Sequence, residues 1–323
     1  MTPSASDVLG NSPCFTLGDW NNKASVRNKK DNCLLPPKQE LEFELESKYW
    51  FPPTFMPYLQ HPLITGTDKK VKQKLTANHL IHFLDYTTVL EHKIVNRSVE
   101  TIIHGELSGD IPEEMKSAAL QLYTDEGYHA LFSYEMAKQV AEYYDIPHRH
   151  LKPLRITLLF DFIDRTDAEY KPLAWFLIGF VSETIIAKEL LNITCHTIIS
   201  SVYQVLRQHL EDEARHSRFF ADGFYYFWRS LEIDRQLLAA KLLKDIVLIF
   251  SEVDHPWLRE SLCSTGFSAF QADTIIRPLL NKSAAAQRMR ISAAPTFIAM
   301  KRAGVFDNKR NKLHFKEAGL IDD

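Results

Sequence analysis

No Cys-x-x-Cys pair occurs in this sequence. Its four cysteines, Cys14, Cys33, Cys195 and Cys263, are scattered, which argues against a disulfide framework and against a thiolate metal site. A reducing, cytoplasmic setting is the expectation. Glycine is sparse, at 11 of 323 residues, and no strand-turn-strand spacing recurs, so a β fold is disfavoured. Charge of one sign is also missing. A net charge of −3 offers no field for nucleic acid or an anionic membrane, so function should sit in a local site. The basic runs at 27–30, 69–74 and 301–312 read as solvated surface. The most apolar stretch begins at Leu173 but meets Glu183 and Lys188 before reaching the ~18 uncharged residues of a membrane span. The first fifteen residues lack a basic leader followed by an apolar run, so no secretory signal is expected.

What is present is helical. Hydrophobic residues make up 45% of the chain, enough for a substantial core. Residues 1–37 are polar and aperiodic and read as an arm wrapping the domain; 38–323 show no linker and read as one domain. Helical period is visible at 40–50, then strongly at 70–104, 113–144, 172–201 and 202–229, with further helices near 234–250 and 269–280. Pro112 and Pro172 suit helix openings, where a missing N–H costs nothing. Two helix pairs separated by a longer connection at 151–170 imply an all-α fold. Its core is four helices with one crossover, and additional helices follow towards the C-terminus.

Two Glu-x-x-His motifs lie on these helices: Glu126 with His129, and Glu213 with His216. Residues three apart share a helix face, so each pair can offer a carboxylate and an imidazole to one ion. With thirteen histidines about one such motif is expected by chance, and Glu252 with His255, followed at once by Pro256, reads as that accident. The two helical motifs share an aspartate directly before the glutamate, Asp125 and Asp212, suited to bonding a ligand imidazole of the opposite helix. Upstream of each motif stands a lone glutamate on an uncharged helix face: Glu91 among Leu84, Thr87 and Ile94, and Glu183 among Phe180, Ile186 and Ala187. An unpaired buried carboxylate costs several kcal/mol, so these need a proton, a cation or a metal. Glu91 lies 35 residues before Glu126, and Glu183 lies 30 before Glu213, one helix up and one back. The result is the four-carboxylate, two-histidine box of ferritin-like diiron and dimanganese proteins. Oxygen and imidazole ligands fit iron, or less readily manganese. His209 lies on the Glu213–His216 stripe and reads as a seventh ligand.

Glu91, Glu126-x-x-His129, Glu183 and His209-x-x-x-Glu213-x-x-His216 together resemble the p-aminobenzoate N-oxygenase family of the aureothin type, with its chloramphenicol-pathway arylamine oxygenase relative. The likeness extends over roughly residues 75 to 300, and the extra histidine distinguishes that family. It implies a ferritin-like, homodimeric, cytoplasmic diiron monooxygenase of secondary metabolism. All seven side chains would hold two irons, with dioxygen as co-substrate and an external electron donor. An amine, free or carrier-bound, would become a hydroxylamine, nitroso or nitro product through a peroxo-diferric species. Thr87, Gly179, Phe180 and Ala187 are the candidate substrate-pocket residues. The small Gly179 and Ala187, one turn either side of Glu183, leave room beside the metals or else serve close helix packing. The stretch 78–95 contains no arginine suited to anchor a substrate carboxylate. The alternatives are another ferritin-like diiron or dimanganese protein: a C-hydroxylase, a catalase-type enzyme or an iron-storage protein.

Overall fold

The structure, a computed structural model, describes residues 15–28, 33–107, 109–147, 152–191 and 196–322. Among these residues every regular element is helical, apart from one isolated bridge between Tyr49 and Ile198. Short helices α1 (Trp20–Lys23), α2 (Ser25–Asn28), α3 (Lys38–Leu45) and α4 (Pro62–Thr65) precede the core. Helix α5 (Lys69–Val89) continues through a π-helical turn (Leu90–Val95) into α6 (Asn96–Ile103). Then come α7 (Glu113–Tyr143), the crossover helix α8 (Leu154–Arg165), α9 (Lys171–Leu190) and α10 (Ser200–Ser230). Six more follow: α11 (Ile233–Ser251), α12 (His255–Ser264), α13 (Ala269–Ile276), α14 (Lys282–Ser292), α15 (Ala294–Ala303) and α16 (Lys309–Glu317).

Local chemistry accounts for the main boundaries. The Asp68 side chain caps α5 by accepting the Val71 N–H at 2.9 Å. Pro112 immediately precedes α7, whose first turn carries Glu113 and Glu114 at the positive end of the helix dipole. Pro172 sits in the first turn of α9. Two sequence expectations change. The helix expected at 172–201 ends at Leu190, because the backbone of Thr197 and Ile199 pairs with Tyr49 (2.9 and 3.0 Å) before α10 begins. The same bridge ends the helix expected at 40–50, which stops at Leu45. The connection at 151–170 holds α8, which buries Ile156, Leu159, Phe162 and Ile163. Glu252 and His255 fall on either side of a helix break, α11 ending at Ser251 and α12 opening at His255.

Helix α5 packs on α7, α9 packs on α10, and α6 bridges α7 and α9. Helices α11 and α15 cover α9, and α15 also lies on α10. The core is split into two apolar clusters. Along α5 and α6 the chain passes from one cluster (Leu75 to Leu84), through Glu91, into the other (Ile94 to Ile102). On α7 the order reverses: Met115 to Leu122, then Glu126 and His129, then Phe132 to Val140. A band of buried polar groups therefore crosses the antiparallel bundle at mid-height. Each fully buried Leu, Ile or Phe is worth about 1.5–3 kcal/mol, so the two clusters can offset the cost of that band. Among the described residues no helix is long and apolar enough to cross a membrane.

Candidate metal centre

Each core helix contributes to the polar band. Glu91 comes from the π-helical turn, where an extra residue per turn re-aims the side chain; such turns recur at functional sites. Glu126 and His129 come from α7, Glu183 from α9, and His209, Glu213 and His216 from α10. All seven side chains are at most 1% exposed.

The seven groups converge. His209 Nε2 lies 2.8 Å from Glu91 Oε1 and 3.2 Å from Glu213 Oε1. His216 Nδ1 lies 2.8 Å from Glu126 Oε1, 3.3 Å from Glu213 Oε1 and 3.6 Å from Glu183 Oε2. His129 Nδ1 lies 3.2 Å from Glu213 Oε1. One oxygen of Glu213 thus faces all three imidazoles. Two overlapping quartets, Glu91–His129–His209–Glu213 and Glu126–His129–Glu213–His216, each hold their ligand atoms within 4.8 Å of one another. Glu183 adjoins the second quartet through His216.

Close as they are, these atoms do not satisfy one another. Both carboxylate oxygens of Glu91, Glu126 and Glu213, Glu183 Oε2, the Nδ1 atoms of His129 and His216, and both ring nitrogens of His209 lack a hydrogen-bond partner. Buried polar atoms are rarely left so, and here they cluster around one point. Four carboxylates would balance two divalent cations, and the donor set of oxygen and imidazole nitrogen suits iron or manganese. The residues therefore fit a two-metal group.

The electrostatics agree. Burial pushes Glu91 up to about 7, against the pull of His209, and lifts Glu183 well above the carboxylate range, with the charges of Glu213 and Glu126 adding to it. Burial would also raise Glu213, but His216, His129 and His209 hold it well below its ordinary value. Burial opposes protonation of the imidazoles, yet the carboxylates around them raise His129 and His216 well above normal and His209 to about 9. The carboxylates thus draw positive charge towards the centre of the box, as a site for cations requires.

The outer ring nitrogens are braced across the bundle. Asp212 Oδ2 lies 3.0 Å from His129 Nε2, and Asp125 Oδ2 lies 3.1 Å from His216 Nε2. Each aspartate thus holds the imidazole of the opposite helix and turns its Nδ1 towards the box. His209 has no such brace and presents Nε2 instead. The aspartates are themselves held. Trp20 Nε1–H donates to Asp125 Oδ2 at 2.9 Å. The Ser25 backbone N–H lies 3.3 Å from both Asp212 oxygens, and the Ser25 hydroxyl and Arg215 also bond Asp212. Nothing in the local spacing of the sequence points to Trp20 or Ser25.

A cavity of about 460 Å³ lies in the same half of the bundle, though none of the seven box residues lines it. Its walls include Tyr86 on α5 and Leu190 on α9, five residues before Glu91 and seven after Glu183. Aromatic rings dominate it: Phe51 packs against His79 at 4.9 Å, and His82 stacks on Trp257 at 3.9 Å. Arg155 of α8 reaches in, its Nε donating to the Glu252 carbonyl at 2.9 Å and its guanidinium 6.0 Å from the centre of the Tyr86 ring. Arg155 puts a guanidinium in this wall, where the Glu91 helix offers no arginine, and its place in a long connection gave no sign of this.

Of the four candidate pocket residues, Thr87 and Ala187 lie one turn from Glu91 and Glu183, on the side facing the cavity, and the buried Thr87 hydroxyl has no partner. Gly179 lies against α6 instead. A Cβ there would come within 2.6 Å of Ser98 Cβ and 3.0 Å of Phe220 Cε1, so the missing side chain serves helix packing and opens no space beside the metals. Phe180 points into the apolar cluster and stacks on Phe224 at 4.3 Å. None of the four candidate residues lines the cavity itself.

An antiparallel all-α bundle with two Glu-x-x-His helices closing on a buried carboxylate–histidine box defines a ferritin-like protein with a candidate two-metal site. The sequence matches the family described as P-aminobenzoate N-oxygenase AurF over residues 36–304, and the chain belongs to that family. No curated protein matches it. The family is one of diiron N-oxygenases, so the chain is an oxidoreductase of that kind.

Proposed function

We propose that this chain is a dioxygen-dependent monooxygenase acting on the nitrogen of an amine, with Glu91, Glu126, His129, Glu183, His209, Glu213 and His216 holding two irons. The observation that carries the reading is the seven-residue cluster of buried ligand atoms without hydrogen-bond partners, with His209 among them, in a member of this family. Two irons bound there would supply the redox chemistry, with electrons from an external donor.

The chain's own residues supply the remainder. The two apolar clusters keep water from the box on both sides. Asp125 and Asp212 orient His216 and His129. The aromatic cavity would receive the amine, with its nitrogen directed past Tyr86 and Leu190 towards the box and Arg155 in the same wall as Tyr86. A volume of 460 Å³ is in the range that encloses drug-sized ligands, which favours an amine larger than a single substituted ring. A guanidinium fixed in such a wall favours a carboxylate or another anionic group on the substrate, in competition with Glu189, whose carboxylate lines the same cavity. Leu120, Tyr123, Leu131 and Tyr134 form an exposed apolar stripe on α7, with Gly127 between them, and this is the surface on which a second copy would build a homodimer.

The test is to load the protein with iron without oxygen, reduce it, and admit dioxygen with a panel of arylamines, alkyl amines and carrier-bound aminoacyl groups. Products are read by mass spectrometry. Hydroxylamine, nitroso or nitro products from one amine class are expected. Uptake of two irons with no oxygenated nitrogen from any amine would sink the N-oxygenase reading and favour catalase-type or storage chemistry.

A further inference from the structure

The segment before residue 36 lies outside the family match, yet it supplies donors to both aspartates that brace the metal box. Its docking is specific. Phe15, Leu17, Ala24 and Ser25 are buried, Phe15 meets the Tyr226 ring edge-on at 5.4 Å, and α2 packs across both α7 and α10. Two chains of contacts result: Trp20 to Asp125 to His216, and Ser25 to Asp212 to His129.

Neither aspartate is exposed at all, so each depends on the buried groups packed around it. Asp125 takes His216 and Trp20 on one oxygen, Oδ2, while Oδ1 has no partner. Without Trp20 its carboxylate would be held by the imidazole alone and could swing with it. Asp212 is more fully held, by His129, Ser25 and Arg215.

We propose that Trp20 and Ser25 are positioning residues of the metal centre, so that docking of the N-terminal arm and loading of metal reinforce each other. The proposal rests on the metal-binding reading above, though not on which amine is oxidised. Loss of an outer partner of a metal-bound imidazole typically weakens metal affinity by about 10–100-fold. Trp20 and Ser25 act one contact further out, so about tenfold is expected for the pair, with Trp20 contributing more because Asp125 has fewer other donors. Linkage requires that bound metal favour arm docking by the same factor.

The experiment uses the full chain as wild type, Trp20→Phe, Ser25→Ala, the double variant, and Ser25→Thr, which keeps the hydroxyl. Cobalt(II) is titrated anaerobically against a chelator, and its visible spectrum reports coordination geometry. In parallel, trypsin cleavage after the exposed Lys23 and Arg27 is timed with and without cobalt. The wild type should bind two ions, and metal should slow cleavage of the arm about tenfold. The double variant should bind about tenfold more weakly, with an altered spectrum and cleavage that no longer responds to metal, while Ser25→Thr behaves as wild type. Thermal unfolding of the metal-free proteins shows whether a variant has merely lost its fold; Ser25→Ala, the milder change, then carries the comparison. If the variants match the wild type in affinity and spectrum and metal leaves arm cleavage unchanged, the proposal is overturned while the metal centre stands. A wild type that takes up no metal overturns both.

Discussion

Replacing Gly179 by alanine asks whether the missing side chain serves packing or substrate. The added Cβ would sit 2.6 Å from Ser98 Cβ and 3.0 Å from Phe220 Cε1, both belonging to buried, close-packed residues. Something must move, and inserting a methyl into a filled core costs about 1–3 kcal/mol. At about 2.1 cal/mol/K of unfolding entropy per residue, 2 kcal/mol lowers the Tm of a chain this size by roughly 3 °C. The companion change is Ser98→Gly. Alone it costs about 0.5 kcal/mol of helix propensity and gives up the weak bond from the Ser98 hydroxyl to the Phe176 carbonyl at 3.4 Å. In that background only the 3.0 Å contact with Phe220 Cε1 remains, and the penalty of Gly179→Ala should shrink to less than half. The four proteins are compared by metal content and by reversible unfolding in urea. If Gly179→Ala leaves stability untouched but weakens amine binding, and Ser98→Gly fails to restore it, then Gly179 faces substrate and the packing argument fails.

Other outcomes follow from the same geometry. His209→Ala removes the imidazole facing Glu91, so iron content should fall from two towards one per chain; two irons with undiminished N-oxygenation would contradict the role given to His209. Arg155→Met should weaken binding of carboxylated arylamines by about tenfold or more, since hydrogen bonds to charged groups are worth about 1.5–3 kcal/mol, while neutral arylamines bind as before. Equal loss for both classes in calorimetry would remove the anchor. Burial holds His79 and His82 down to about 3, with Arg155 opposing their charge and His79 further lowered by His82. Stability from this source is full above the unfolded value of about 6.5 and is lost as pH falls towards 3, at no more than about 2 kcal/mol per histidine by pH 5 and less for His82, whose Nε2 lies 3.6 Å from Asp254 Oδ2. His82→Phe, which preserves the stack on Trp257, should flatten the fall in urea stability between pH 6.5 and 5; an unchanged slope would refute the assignment.

The four long helices are legible because helical period is a local property. Each core helix repeats its apolar face for several turns, and Glu91 and Glu183 stand out because nothing else on those faces is charged. The end of α9 is not legible. It is set by pairing with Tyr49, far upstream, which no pattern near Leu190 announces. Helix α8 was hidden for a different reason: its apolar residues lie within a short segment flanked by Lys152, Pro153 and Thr166, which read as a connection. The bridge and the crossover helix move element boundaries without disturbing the register of the four helices that carry the box.

That register also separates what a sequence can convey about the box from what it can convey about the cavity. Three or four residues along a helix always return to the same face, so His209, Glu213 and His216 had to point together once α10 formed, and the aspartates beside Glu126 and Glu213 had to flank them. Side-chain size gives no such direction. Gly179 and Ala187 are both small and both one turn from Glu183, yet one meets Ser98 and the other lies towards the cavity, because α6 happens to cross α9 at the first. Arg155 reaches the cavity from a crossover helix, and Trp20 and Ser25 reach the bracing aspartates from the N-terminal segment, through contacts between elements that lie far apart in the chain. Ligand chemistry is thus written in helical spacing, while the choice of substrate and the bracing of the imidazoles are written in tertiary contacts, so two proteins with the same seven ligands can differ in both.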